Sequence, residues 1–176
     1  VYGTNPNEFL VSVVGDIPTG RALSLGDGEG RNGVFLAEQG FDVTAVDMSS
    51  VGLEKAESLA RLHGVKVNTI VADLNHYVIE EGHWDLIVTI WLHVMPDLRQ
   101  RIHSGIVDGL RPGGAVVLEA YTPKQLKYGT GGPPKRDMLF TPSMLREDFA
   151  VGAGLRIEVC QETEREVIEG CGHTGT

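Results

Sequence analysis

The stretch from Leu23 to Gly33 constrains the fold of this chain more than any other feature of its sequence. It reads Leu-Ser-Leu-Gly-Asp-Gly-Glu-Gly-Arg-Asn-Gly, which is typical of a short strand, a glycine turn and a helix start. Asp47 follows a second apolar run, 41–46. Glycines let the backbone approach a ligand closely, and a helix start offers unpaired N–H groups. An acid at the end of the second strand can accept hydrogen bonds from ribose hydroxyls. The pattern predicts a pocket for a ligand that carries a nucleoside.

Strand-like and helix-like segments alternate along the rest of the chain. The strands are predicted at 21–25, 42–46, 65–71, 84–90, 115–120 and 155–163. The helices are predicted at 8–14, opened by Asn5 and Pro6, and at 30–39, 50–63, 97–110 and 142–150, with Ser49 or Ser50 capping the third. This alternation predicts an α/β fold with a doubly wound, mostly parallel sheet in a single domain, 1–176, whose N-terminal helix region is 1–20.

Composition and charge argue against several classes of function. The 176 residues suit one domain with a substantial core, and a formal charge of −9 argues against general affinity for nucleic acid or anionic membranes. No apolar run reaches the length of a membrane span. Cys160 and Cys171 are too few to indicate a disulfide framework, which favours a reduced, cytoplasmic protein.

The segment 122–141 interrupts the alternation. It holds three glycines and two prolines within 129–134, contains no convincing helix, and is basic until Asp137 although the whole chain is acidic. It follows a parallel strand and must therefore leave from the carboxyl edge of the sheet, where ligands bind in such folds. We expect 122–141 to be an active-site loop, and a solvated loop is the alternative.

The order of the motifs resembles that of class I S-adenosylmethionine-dependent methyltransferases. Besides the glycine turn, the matching stretches are Val46-Asp47, Ala72-Asp73-Leu74, Trp84-Asp85-Leu86-Ile87-Val88 and Leu110-Arg111-Pro112-Gly113-Gly114. Dinucleotide-binding proteins share the glycine turn, so the combination of motifs makes the resemblance specific. The stretch Gly-Glu-Gly-Arg-Asn, with Tyr2-Gly3 and Pro6-Asn7 upstream, is most similar to the small tellurite-resistance-type and thiopurine-type branches.

The resemblance implies a Rossmann-like class I methyltransferase fold, with S-adenosylmethionine as cofactor and S-adenosylhomocysteine as product. The implied contacts lie in the glycine turn and at the ends of the second, third and fourth strands. The residues are Gly26, Asp27, Gly28, Gly30, Arg31, Asp47, Met48, Asp73, Leu74 and Ile90. Simpler explanations stay open: a tight turn for the glycines, a solvated acid for Asp47 and an Asx turn for Asp73.

Two features depart from the family pattern. Many members carry an acid two residues before the first glycine of the turn, and here that residue is Ser24, with Asp27 or Glu29 as a candidate to compensate. These folds also normally end with a seventh, antiparallel strand, which we expect to be missing or incomplete here. The edge that it would cover is then left open.

Two histidines are candidate catalytic residues. His93 follows the fourth predicted strand and His173 follows the sixth, so both are expected at the carboxyl edge, facing the methyl-transfer site. Methyl transfer from a sulfonium needs proximity and in-line orientation, and a histidine can take a proton from the acceptor where the acceptor has one to lose. A structural His93 and a flexible terminus at His173 are the alternatives.

The sequence thus predicts a methyltransferase for a small-molecule or small inorganic acceptor, a monomer or homodimer with no metal, nucleic-acid partner or membrane partner. An NAD-dependent oxidoreductase is one alternative, but a Tyr-x-x-x-Lys pair is missing: Gln125 and Gly132 stand four residues after Tyr121 and Tyr128. A non-catalytic protein that binds S-adenosylmethionine is the other.

Overall fold

A computed structural model of the chain describes residues 3–129, 131–150, 154–169 and 173–175. The central sheet consists of the parallel strands β1 (Arg21–Leu25), β2 (Asp42–Asp47), β3 (Val67–Val71), β4 (Trp84–Ile90) and β5 (Leu110–Glu119). Their order is β3-β2-β1-β4-β5, so the direction of winding reverses between β1 and β4. Ligands bind to such sheets outside the carboxyl ends of the strands, at this reversal.

Helices cover both faces of the sheet, which confirms the prediction of a doubly wound α/β fold. They are α1 (Glu8–Val14), α2 (Arg31–Glu38), α3 (Ser50–Leu62), α4 (Pro96–Gly109) and α5 (Pro142–Ala150). Successive residues of a strand point to opposite faces. Ala22 therefore packs in the cluster formed with α1, α2 and α3, whereas Leu23 packs in the cluster that includes Ile102 of α4. Within the described part of the chain, no helix is long and apolar enough to span a bilayer.

The N-terminal helix is capped by Asn7, and the prediction that Asn5 caps it is wrong. The Asn7 side-chain oxygen accepts a hydrogen bond from the Leu10 N–H at 3.0 Å, and its backbone N–H donates to Asn32 Oδ1 of α2 at 2.9 Å. Its side-chain amide donates to the Glu119 carboxylate at the end of β5. Asn7 is fully buried, whereas Asn5 is exposed. The proline after Asn5 suggested a helix start, but the buried asparagine has the three partners.

Replacing Asn7 with alanine should lower the free energy of unfolding by about 2–3 kcal/mol, because a helix cap is lost and buried partners are left unsatisfied. Urea denaturation at neutral pH measures this change. Asn5→Ala is the matched control, and we expect it to change stability by less than about 0.5 kcal/mol. Equal losses in the two variants would show that Asn7 is not the cap.

The Arg111–Gly114 turn lies within β5, so this strand begins earlier than the predicted 115–120. Leu110 pairs with Trp84, and after a shift of register Ala115 pairs with Leu86. The extra residues interrupt the regular pairing of β4 and β5, which a hydrophobicity pattern does not reveal. Ser49 caps α3, accepting from the Gly52 N–H at 3.0 Å, which decides between the two predicted serines.

The prediction of a sixth parallel strand over 155–163 is wrong. The backbone there is irregular, and Ile157 and Val159 are 45% and 53% exposed. The segment alternates apolar and polar residues like a strand, but nearby charged side chains attach it to other parts of the chain, including the ion pairs Glu162–Lys124 and Arg165–Glu119. Farther on, β6 (Val167–Glu169) and β7 (His173–Gly175) form a separate antiparallel two-stranded sheet.

Candidate active site

The glycine turn after β1 has one open glycine and one that is closely packed. Gly28 has φ +60°, and apart from its two chain neighbours no other described residue has an atom within 4 Å of the place where a Cβ would stand. Gly30 has φ +90°, and a Cβ there would lie 2.4 Å from the Cβ of Ala56 in α3. Gly30 therefore lets α3 approach the turn, and Gly28 leaves a space in which a ligand can meet the backbone. Contact of Gly26 or Gly30 with a cofactor stays a prediction.

Asp47, at the carboxyl end of β2, holds the same turn in place through hydrogen bonds. Its Oδ2 accepts from the Gly28 N–H at 2.9 Å, and its Oδ1 accepts from the Ser49 N–H at 2.8 Å. Each carboxylate oxygen has a second lone pair, so the half-buried carboxylate can also accept from two ribose hydroxyls. The next side chain, Met48, is 76% exposed, an apolar surface that an adenine ring could cover. These residues fit an adenosyl group.

Asp73 and Leu74, beyond the end of β3, have local partners. Asp73 Oδ1 accepts from the backbone N–H and the side-chain amide of Asn75 at 2.8 and 2.9 Å, which forms the Asx turn and holds the pKa of Asp73 below its usual value. The Leu74 carbonyl accepts from the Arg101 guanidinium of α4. A cavity of about 410 Å³ opens between this connection and α4, with Leu25 and Leu74 in its wall. Adenine contact at Asp73 and Leu74 stays a prediction.

Asp27 is buried inside the glycine turn beside Ser24. The Ser24 hydroxyl donates to Asp27 Oδ1 at 2.6 Å, and the Gly33 N–H of α2 donates to the same oxygen at 3.0 Å. Burial raises the pKa of Asp27 to about 6, the Asp47 charge adds to this, and the two hydrogen bonds and the Arg31 charge oppose it. Ser24, which stands where many family members carry an acid, therefore orients the carboxylate of Asp27, three residues later, by donating a hydrogen bond to it. Arg31 is itself buried in the first turn of α2.

The backbone directly after β4 is strained. Ile90 is buried and Trp91 has φ +58°, the only positive value for a non-glycine residue in the described ranges. The Trp91 ring stacks on Tyr121, which follows β5, with ring centroids 4.4 Å apart. Backbone strain of this kind is maintained by surrounding contacts and often lies at functional sites. Here it sets an aromatic pair beside the reversal of the sheet.

Both ring nitrogens of His93 lie within hydrogen-bond distance of backbone groups. Nε2 accepts from the Tyr121 N–H at 2.9 Å, so the ring proton is on Nδ1, which donates to the Trp91 carbonyl at 3.0 Å. To accept a proton at Nε2, His93 would have to release Tyr121. A catalytic role for His93 stays a prediction.

The predicted position of His173 near the methyl-transfer site requires a parallel sixth strand, and the structure has none among its described residues. The backbone of His173 belongs to β7 instead. Its side chain lies outside what the structure describes, so a catalytic role for His173 also stays a prediction.

The segment 122–141 folds over Tyr121. It contains two short 3₁₀ helices, Pro123–Lys127 and Arg136–Met138. A Cβ on Gly131 or Gly132 would lie 2.8 or 2.7 Å from atoms of the Tyr121 side chain, so the loop touches this ring closely.

The loop also bonds to a later part of the chain. Glu162 accepts from Thr122 and pairs with Lys124, while Tyr128 donates to Glu164 at 3.1 Å. The loop is therefore attached to the 155–166 segment.

Sequence reasoning missed a buried ionic cluster between α4 and α5. The Arg99 Nε and His103 Nδ1 both contact one Asp148 oxygen, at 2.9 and 2.8 Å. Burial lowers the pKa of His103, although the Asp148 carboxylate opposes this. The rings of His93 and His103 lie 5.7 and 5.8 Å from the ring of Phe140, at the end of the loop. These residues are far apart in sequence and share no motif, so no sequence signal indicated the cluster. The described residues contain no group of three or more His, Cys, Asp or Glu that could hold a metal ion.

Comparison with known proteins places the glycine turn and most of the central sheet in a common domain. Residues 22–114, just over half of the chain, match the family described as "Methyltransferase domain". A ubiquinone biosynthesis O-methyltransferase of Rickettsia felis is 30% identical over 128 residues, which are 70% of this chain and 50% of that protein. A carboxy-S-adenosyl-L-methionine synthase of Aeromonas salmonicida is 30% identical over 132 residues, 72% of this chain and 49% of that protein.

The solved structures show the same fold. TehB from Haemophilus influenzae has a TM-score of 0.69 at 21% identity, over 82% of this chain and 50% of that chain. The chain spans about half the length of the curated relatives it matches.

Proposed function

This chain belongs to the class I S-adenosylmethionine-dependent methyltransferases, and we propose that it transfers the methyl group of S-adenosylmethionine to a small-molecule or small inorganic acceptor. One observation carries the proposal most directly. The Asp47 carboxylate fixes Gly28 and Ser49 through their N–H groups and keeps lone pairs for two hydroxyls, next to the open side of Gly28. Ribose hydroxyls and a backbone-bound polar tail are the complements of this arrangement.

The residues of this chain bind the methyl donor and orient it. When bound, S-adenosylmethionine supplies a methyl group that its sulfonium charge has already activated. Asp47 would hold the ribose, Met48 and Leu74 the adenine, and the turn at Gly28 the amino-acid part. Trp91 and Tyr121, beyond the ends of β4 and β5, would form one wall of the acceptor side and exclude water there. Proximity and alignment supply most of the rate in such a displacement.

Titration calorimetry with S-adenosylmethionine, S-adenosylhomocysteine and NAD tests the cofactor. We expect both adenosyl ligands to bind and NAD to give no heat. Tight binding of NAD, together with no response to S-adenosylhomocysteine, would overturn the proposal in favour of an oxidoreductase.

The methyl acceptor needs a binding place next to the cofactor. We place it under the loop 122–141, because the loop covers Tyr121 and carries basic residues at the carboxyl edge. Replacing 129–134 by a shorter Gly-Ser link should reduce turnover in an acceptor screen while leaving the Kd of S-adenosylhomocysteine within about threefold. Loss of both, with the domain still folded, would mean that the loop belongs to the cofactor site instead.

The resemblance of the Gly-Glu-Gly-Arg-Asn stretch to the tellurite-resistance-type branch supports an acceptor of the kind used by that branch, and the acidic, cysteine-poor composition supports a cytoplasmic location. We propose a monomer or homodimer without a nucleic-acid partner. Binding of S-adenosylmethionine without a methylated product over a broad panel of oxygen, nitrogen, sulfur and metalloid acceptors would favour the non-catalytic alternative.

A further inference from the structure

We propose that Asp27 couples the binding of S-adenosylmethionine to the release of a proton, so that the cationic methyl donor binds the form of the protein in which Asp27 is ionised. S-adenosylhomocysteine, which has no sulfonium charge, should depend on this ionisation less. The inference rests on the proposed function and adds a pH-dependent preference for substrate over product at the same site.

The two oxygens of the Asp27 carboxyl group have unequal environments. Oδ1 accepts two hydrogen bonds, from Ser24 at the end of β1 and from Gly33 in the first turn of α2. Oδ2 is buried and has no hydrogen-bond partner within the described ranges. The residue is only 8% exposed. A buried carboxylate with one unsatisfied oxygen is costly when ionised, unless a positive charge comes near it.

The Asp27 carboxyl group is also held firmly in place. A Cβ on Gly33 would lie 2.6 Å from Asp27 Oδ2, so the helix backbone stands directly against this oxygen. Ser24 is itself buried, and its hydroxyl donates to the other oxygen at 2.6 Å. The group is therefore wedged between β1 and α2. A change of charge at Asp27 has to be compensated by ions or ligands, because the side chain is not placed to move out to water.

Several charged side chains surround the glycine turn. Asp47, from β2, raises the pKa of Asp27, and Arg31, from α2, lowers it, while burial is the largest cause of its rise to about 6. Glu29, in the same turn, forms an ion pair with Lys55 of α3 at 2.6 Å. Asp27 and Asp47 thus repel each other on two sides of the turn that meets the ligand. A cation bound at that turn relieves the repulsion and favours the ionised form of Asp27.

The chemical step is a simple ionisation. Below about pH 6 the O–H bond of the Asp27 carboxyl breaks when the methyl donor binds, the electron pair stays on the carboxylate, and the proton goes to the buffer. The apparent Kd is then the Kd for the ionised form divided by the fraction of protein in that form. Near pH 5 this fraction is about one tenth for a pKa near 6, and near pH 7 it is about nine tenths.

Titration calorimetry over pH 5–8 tests the proposal, with S-adenosylmethionine and S-adenosylhomocysteine as ligands. The affinity for S-adenosylmethionine should rise by about tenfold from pH 5 to pH 7, and that for S-adenosylhomocysteine by no more than about threefold. In two buffers of different ionisation enthalpy, the binding heats at pH 5.5 should report a proton released with S-adenosylmethionine.

Asp27→Asn should bind S-adenosylmethionine more weakly at pH 7 and lose most of the pH dependence. Asp42→Asn, an exposed acid at the other end of β2, is the matched control and should behave like the unsubstituted protein.

Ser24→Ala gives a second, independent variant if Asp27→Asn does not fold. It removes a hydrogen bond that lowers the pKa of Asp27, so the midpoint of the pH dependence should move upward. The proposal is overturned if the two ligands show the same pH dependence, or if Asp27→Asn keeps the full effect. Failure of both ligands to bind at any pH would overturn the proposed function instead, and thermal unfolding of each variant shows whether it is folded.

Discussion

Asp47→Ala should weaken the binding of S-adenosylhomocysteine by about 10- to 100-fold, corresponding to roughly 1.4–2.8 kcal/mol, while the domain stays folded. The carboxylate has two tasks at once. It holds the Gly28 and Ser49 N–H groups at 2.9 and 2.8 Å, and it is the acceptor we assign to the ribose hydroxyls. Its removal therefore loses direct contacts and loosens the turn that meets the rest of the ligand. The residue ends a strand and is only half-buried, so the core is untouched.

Calorimetry with S-adenosylhomocysteine measures this loss, and urea denaturation measures the stability of the variant. Asp42→Ala is the control: the same residue type begins the same strand, is exposed, and has a long 3.4 Å contact with Asn68. It should leave the Kd unchanged. An unchanged Kd in Asp47→Ala would remove this residue from the ligand site and leave it as a structural brace of the turn.

The sheet could be predicted because its signals are local. Glycines after one apolar run and an acid after the next define β1, the turn and β2, and the continuous apolar run of β4 indicates a strand that is buried on both faces. The predicted bounds of β1 and β4 agree with the structure. The same local signals placed Asp47 at the carboxyl edge, beside Gly28.

The rest depended on contacts between distant residues. The segment 155–163 has the alternation of a strand, but Glu162 and Arg165 pair with Lys124 and Glu119, and the segment follows these ion pairs instead of the sheet edge. The sequence predicted Asn5 and not Asn7 as the helix cap, because a proline follows Asn5. The hydrogen bonds of Asn7 are made with partners 25 and 112 residues away in the chain. No period or motif encodes such partners.

The glycine turn shows how one motif serves two purposes that sequence alone does not separate. Three glycines at alternate positions look equivalent in the sequence, and all have positive φ in the structure. Their surroundings differ: a Cβ on Gly26 would meet the flexible tip of Leu92, one on Gly28 would meet open space among the described residues, and one on Gly30 would meet α3. Cofactor contact and helix packing are therefore assigned to different glycines.

Gly28→Ala and Gly30→Ala should accordingly fail in different ways. At Gly30 the new methyl carbon would lie 2.4 Å from the Ala56 Cβ and 2.6 Å from its Cα, at φ +90°. Overpacking against a helix backbone and a left-handed alanine together should cost about 2–5 kcal/mol of stability. At Gly28 only the left-handed conformation is penalised, by about 1–2 kcal/mol.

The methyl group of Gly28→Ala instead projects into the space that we assign to the ligand, where it prevents the ligand from approaching the backbone closely. The Kd of S-adenosylhomocysteine should therefore rise by at least about tenfold. Urea denaturation and calorimetry on both variants separate the two effects: Gly30→Ala loses mainly stability, and Gly28→Ala loses mainly affinity. If Gly28→Ala bound the ligand with unchanged Kd, the open side of the turn would not face it. If Gly30→Ala were as stable as Gly28→Ala, the packing of α3 would not require a glycine at position 30, because the close contact with Ala56 would then relax at little cost.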